Sequence, residues 1–65
     1  MMLTMPNRPV IFEFIPIGAY MKVTAMDEDT LTEVTIQGPV HAPEAVLKAQ
    51  ALKRLDYVLK KKGIV

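Results

Sequence analysis

Val10-Ile11-Phe12-Glu13-Phe14-Ile15-Pro16-Ile17 decides the fold, because it is the most β-favouring run in the chain and is apolar on both sides. Val10, Phe12 and Phe14 point one way along an extended chain; Ile11, Ile15 and Ile17 point the other, with Glu13 the only charge. Pro16 lacks an N–H, so this strand ends there, bulges, or turns its proline to an unpaired edge. After the turn at Gly18-Ala19, Tyr20-Met21-Lys22-Val23-Thr24-Ala25-Met26 alternates, with Met21, Val23 and Ala25 on one face and Tyr20, Lys22 and Thr24 on the other. Asp27-Glu28-Asp29-Thr30 reads as a polar turn. It leads into Leu31-Thr32-Glu33-Val34-Thr35-Ile36-Gln37, a third strand that packs with Val34 and Ile36 and stops at Gly38-Pro39.

A helix follows. Pro43 suits a first turn, where its missing N–H is no loss, and Glu44 complements the positive end of the helix dipole. At 100° per residue, Leu47, Ala51, Leu52, Leu55, Val58 and Leu59 fall in one broad arc, so the helix is expected to reach about Lys61, with Gly63 as its stop. Lys60, Lys61 and Lys62 then sit at the negative end of the dipole. The expected fold is α+β: a three-stranded antiparallel meander followed by one C-terminal α-helix packed on one sheet face, in the order β-β-β-α. Residues 10–65 form this single domain. Residues 1–9, with two prolines and no periodicity, are expected to be a flexible N-terminal leader.

The chain has 65 residues, no cysteine and a formal charge of +1. A chain of this length buries only about 60 % of its unfolded surface, so a lone core is marginal without help. Disulfides and thiolate zinc sites are excluded, and the single His41 cannot chelate a metal alone. No stretch approaches the roughly 20 apolar residues of a membrane helix, and no signal peptide is visible. A cytoplasmic location is expected. An antiparallel sheet covered by one helix leaves its other face open, and the doubly apolar first strand implies that this face is covered too. A homodimer is therefore expected, built face to face or by strand pairing, with Phe12, Phe14, Ile15 and Ile17 as interface residues. An unidentified protein partner would meet the same need.

Several stretches together resemble a family of short, uncharacterised alphaproteobacterial proteins of unknown function. They are residues 9–18, Val23-Thr24-Ala25, Glu33-Val34-Thr35-Ile36-Gln37-Gly38-Pro39, Ala42-Pro43-Glu44-Ala45, and Leu52-Lys53-Arg54-Leu55-Asp56-Tyr57-Val58-Leu59. The resemblance covers roughly residues 9–60 and implies no chemistry. Some relatives carry the label serine hydroxymethyltransferase, and the residues argue against it. A pyridoxal-phosphate enzyme needs a Schiff-base lysine and a large cofactor cradle, which 65 residues cannot build. No cofactor is expected.

No catalytic constellation stands out. His41 lies three residues before Glu44, a spacing that imitates a capping box, and the chain has no serine to act as a nucleophile. Asp27-Glu28-Asp29 lacks the glycine and the bidentate glutamate of a calcium loop. Glu13 and Glu33 would meet only by chance of register. A non-enzymatic interaction module is the expected function.

Charge is uneven along the chain. Arg8 and Lys22 face six carboxylates over residues 1–47, whereas six basic residues face only Asp56 over residues 48–65. The outer helix face gathers Gln50, Lys53, Arg54, Tyr57 and Lys61. The alternative function is weak nucleic-acid binding through Lys53, Arg54, Tyr57 and Lys61, the cations on phosphates and Tyr57 for stacking. Three strands and a helix are also similar to the second half of a double-stranded-RNA-binding domain, which has a lysine cluster where that helix begins. Here the position reads Ala42-Pro43-Glu44-Ala45-Val46, and the preceding helix is missing.

Overall fold

The computed structural model describes residues 2–5 and 8–64. Three long antiparallel strands, β2 (Arg8–Ile17), β3 (Tyr20–Asp27) and β4 (Thr32–Pro39), form an open meander followed by the helix α1 (Glu44–Lys61). This is the expected α+β arrangement. A short strand, β1 (Met2–Met5), lies beside the start of β2, with Met2 opposite Ile11 and Met5 opposite Arg8. The sheet order is β1-β2-β3-β4. Residues 2–5 were expected in a leader outside the fold; instead their backbone pairs with β2, which begins at Arg8 rather than Val10. Four residues are too few to show periodicity, and the open edge of a neighbouring strand decides such pairing. Met1, Pro6 and Asn7 of the expected leader lie outside the described residues.

The register sets each strand's faces. Phe12, Ala25 and Val34 stand opposite one another across three strands, as do Phe14, Val23 and Ile36. These rows face the helix. Val10, Phe12, Val23, Ala25 and Val34 meet Leu47, Ala51, Leu55 and Leu59 in one buried core, with Phe14, Met21, Ile36, Leu52 and Val58 packed around it. The helix therefore buries the predicted arc, with Leu52 and Val58 at its half-exposed margins.

Hydrogen bonding fixes which backbone groups point where. Groups in an antiparallel ladder alternate between the two neighbouring strands. The Val40 N–H donates to the Ala19 carbonyl at 3.0 Å, so Thr32, Val34, Ile36 and Gly38 direct their backbone groups at β3. Glu33, Thr35 and Gln37 direct theirs away from the sheet. The same parity in β2, set by the Glu28 N–H donating to the Pro9 carbonyl, points the Pro16 nitrogen to the side where β1 no longer reaches. Pro16 thus sits on an unpaired edge and breaks no ladder bond.

The turns follow from local chemistry. Gly18 takes φ +59° in a two-residue hairpin turn, a conformation open to glycine without penalty. Leu31 was expected to begin the third strand, yet it takes φ +58° in the turn between β3 and β4, and β4 starts at Thr32. Gly38 and Pro39, read as the stop, belong to β4 itself. Gly38 is needed on the helix face: a Cβ there would lie 2.5 Å from Leu47 Cδ2. The absent side chain lets the first turn of α1 settle on the end of β4.

Pro43 is the N-cap of α1 rather than its first helical residue, and no side chain caps the helix. His41 is an exposed loop residue that makes no capping bond. At the other end, the Gly63 N–H donates to the Lys60 carbonyl and the Ile64 N–H to the Leu59 carbonyl, with Gly63 at φ +77°. This pair of bonds is a Schellman motif, and it folds Ile64 back against the core.

Candidate interaction surfaces

The outer sheet face carries the β2 residues Ile11, Glu13, Ile15 and Ile17, which stand opposite Met26, Thr24, Lys22 and Tyr20 of β3. Glu33, Thr35 and Gln37 complete it from β4. Thr24 and Thr35 hydrogen-bond through their hydroxyls at 3.2 Å in the middle of this face. No described element covers it. Ile15, Ile17 and Tyr20 are 38 %, 52 % and 60 % exposed and form an apolar end, while Ile11 and Met26 are half-buried.

The four expected interface residues are split by this geometry. Ile15 and Ile17 lie on the open face. Phe12 is only 4 % exposed, and Phe14 packs against the core beneath the helix. Those two are core residues and cannot contact a partner laid on the outer face. Strand alternation separates them from Ile15 and Ile17, so no single surface could hold all four.

Glu13 and Glu33 line a shallow depression of about 200 Å³ with Ile11, Thr24 and Met26. They stand on strands two spacings apart, roughly 10 Å, too far to share a proton. Among the described residues, no group of three or more His, Cys, Asp or Glu side chains could hold a metal ion, and no helix is long and apolar enough to cross a membrane.

The second surface lies where α1 overhangs β4. Lys48 Nζ stands 5.9 Å from the Phe14 ring centroid, so that flank of the helix overlooks β2. The opposite flank overlooks Ile36. There Gln50, Lys53, Arg54 and Tyr57 enclose, with Ile36 as floor, a groove of about 380 Å³. The Arg54 guanidinium carbon and Lys61 Nζ lie 5.8 and 5.9 Å from the Tyr57 ring centroid. Helical spacing produces this: Arg54 is one turn before Tyr57, and Lys61 one turn after it. All four basic-stripe residues expected from the sequence are therefore neighbours, three on the groove wall and Lys61 against the ring. Asp56 pairs with Lys60 at 2.9 Å, while Lys53, Arg54 and Lys61 have no carboxylate partner among the described residues.

One polar cluster was not expected from the sequence. Arg8 donates from Nε and Nη2 to the two carboxylate oxygens of Asp27 at 3.1 and 2.7 Å. Thr30 donates to Asp27 Oδ2 from its hydroxyl at 2.6 Å and from its backbone N–H at 3.2 Å. The Asp27 side chain is fully buried. The bidentate Arg8 contact, reinforced by Thr30, overcomes the opposing effect of burial and holds the Asp27 carboxyl down at about 2. The same pairing raises Arg8 above its usual value. The turn tetrad is thus not wholly solvated. The signal lay in the alternation: Val23, Ala25 and Asp27 share the helix face, so the acid had to find a partner inside.

These features define a small α+β domain, an antiparallel meander with one covering helix, one open sheet face and one basic groove. Residues 7–62 match the family described as Domain of unknown function (DUF6898), and the chain belongs to that family. That membership agrees with the resemblance read from residues 9–60. No curated protein and no solved structure matches the chain.

Proposed function

We propose that this domain is a protein–protein interaction module that acts as a homodimer, with the outer sheet faces of two copies packed together about a twofold axis. The observation that carries this reading is the open apolar end made by Ile15, Ile17 and Tyr20 on a sheet whose other face is the one covered by α1. A single-layer core in 65 residues is thin, and a second sheet supplies the missing layer. Each half-exposed isoleucine taken fully from water contributes about 1 kcal/mol. The face carries Lys22 as well as Glu13 and Glu33, so it is not of one charge sign and does not repel its own copy.

Sedimentation equilibrium over a wide concentration range tests the proposal. The expected mass is twice that of the chain. Ile17→Glu, at an exposed position, should return the mass to one chain while the circular dichroism of the folded state persists. A wild-type protein that stays monomeric at millimolar concentration overturns the proposal. Phe14→Glu would not serve, because Phe14 supports the core.

A further inference from the structure

From the open edge of β4 and the groove beside it, we infer a second binding site, one for an extended acidic peptide that adds a strand to β4 and sets a side chain into the groove floored by Ile36.

Three observations meet at this edge. Glu33, Thr35 and Gln37 aim their N–H and C=O groups away from the sheet, and no described strand receives them. Such a row is a template for another strand. The groove of about 380 Å³ opens along the same edge, between Ile36 of β4 and the overhanging flank of α1. A strand added to β4 would lie about 4.8 Å beyond it, and every second side chain would turn toward the helix. Those side chains enter the groove, so backbone bonding and side-chain recognition fall in register.

The third observation is charge. Lys53 and Arg54 stand on the groove wall without a carboxylate partner among the described residues, and Lys61 lies one turn further on. The nearby acids do not oppose them: Glu33 of β4 belongs to the outer face, and Asp56 of α1 is engaged by Lys60. An acidic residue in the incoming strand meets Lys53 and Arg54, while an apolar residue two positions along, on the same side of that strand, covers Ile36.

The occupant is a peptide rather than a nucleic acid. Tyr57 is the one aromatic here, and its ring is already engaged by Arg54 and Lys61, which compete with base stacking. The unpaired strand edge, moreover, has no use in phosphate binding. The site is separate from the outer sheet face, and its test does not depend on dimerisation.

The test uses the full chain and a fluorescein-labelled peptide Thr-Glu-Thr-Val-Thr-Glu-Thr-Val, whose glutamates and valines share one face of an extended strand. Fluorescence anisotropy should show saturable binding, and K53E combined with R54E should weaken it at least about tenfold. Hydrogen exchange followed by NMR should show the amides of Glu33, Thr35 and Gln37 becoming protected on binding, a change that mere charge attraction does not produce. Equal binding of the same peptide with lysine in place of glutamate, binding without protection of those amides, or no binding at all overturns the inference. A single-stranded oligothymidine that binds more tightly than the peptide also overturns it and identifies the stripe as a nucleic-acid surface. Protection of the same amides in the protein alone would mean that β4 pairs with its own copy, which overturns it as well.

Discussion

Gly38→Ala tests the packing that positions both surfaces. The added Cβ would lie 2.5 Å from Leu47 Cδ2, whereas carbon atoms in contact sit at about 3.5–4.0 Å. Either the Leu47 side chain or the first turn of α1 must retreat by about 1 Å. Leu47 is buried in the core and has no solvent to swing into. Overpacking of this kind costs about 1–3 kcal/mol, and the reduced freedom of the unfolded chain returns about 0.4–1 kcal/mol for a glycine-to-alanine change. The net expectation is a loss of about 1–2 kcal/mol, or a fall of roughly 5–15 °C in Tm for a domain of this size. Thermal and urea unfolding at one fixed protein concentration measure it, since association would otherwise shift the apparent stability. Leu47→Val makes room at the same spot and alone should cost about 1 kcal/mol. The double variant should be more stable than the sum of the single losses by about 1 kcal/mol. Additivity within about 0.5 kcal/mol, or a Gly38→Ala variant as stable as the parent, would refute the close approach of α1 to β4.

Two further outcomes follow from local chemistry. Unfolded Asp27 takes up a proton near pH 4, whereas the folded carboxyl stays ionised down to about 2. The unfolded state thus binds the proton first, so the stability contributed by the Arg8 pair is complete above about pH 4 and is lost as the pH falls toward 2. Asp27→Asn should lower stability at neutral pH and flatten the acid limb, as read from urea midpoints across that range; identical acid slopes in parent and variant would contradict the pairing. Leu31→Gly removes a left-handed leucine that makes no core contact, and after the entropic penalty of glycine it should raise stability by about 0.5–1 kcal/mol. A lower Tm in that variant would show that the turn does not hold residue 31 at positive φ.

What could be read in advance was whatever rests on periodicity. Val23 and Ala25, Val34 and Ile36, and the arc from Leu47 to Leu59 declare their faces by spacing alone, and the structure places them accordingly. Phe12 and Phe14 show where that logic reaches its limit. A strand apolar on both sides announces burial without saying which side meets the helix, and only the register with Ala25 and Val34 decides it. Arg8 and Asp27 lie nineteen residues apart and meet only because the β2–β3 hairpin pairs Val10 with Asp27. Gly38 looked like a terminator because glycine followed by proline ends strands; its role as a socket for Leu47 depends on a helix docked afterwards. The basic stripe was visible from helical spacing. Its position above an open strand edge was not, because that depends on which flank of α1 faces β4.

The spatial order of the sheet is also its order along the chain. Each strand pairs with the one just made, across turns as short as residues 18–19 and 28–31, so closing each hairpin sacrifices little chain entropy. Mixed α/β domains of this kind fold at rates between those of helical bundles and all-β barrels, with single hairpins forming in about 1–10 μs. The helix arrives last in sequence and closes onto β3 and β4, the strands nearest to it along the chain. A sheet assembled in this way reaches its register before a second chain can compete for its backbone. Folding order thus closes the inner edges of the sheet first and leaves the outer edge of β4 as a long strand edge that the finished fold still offers to another chain.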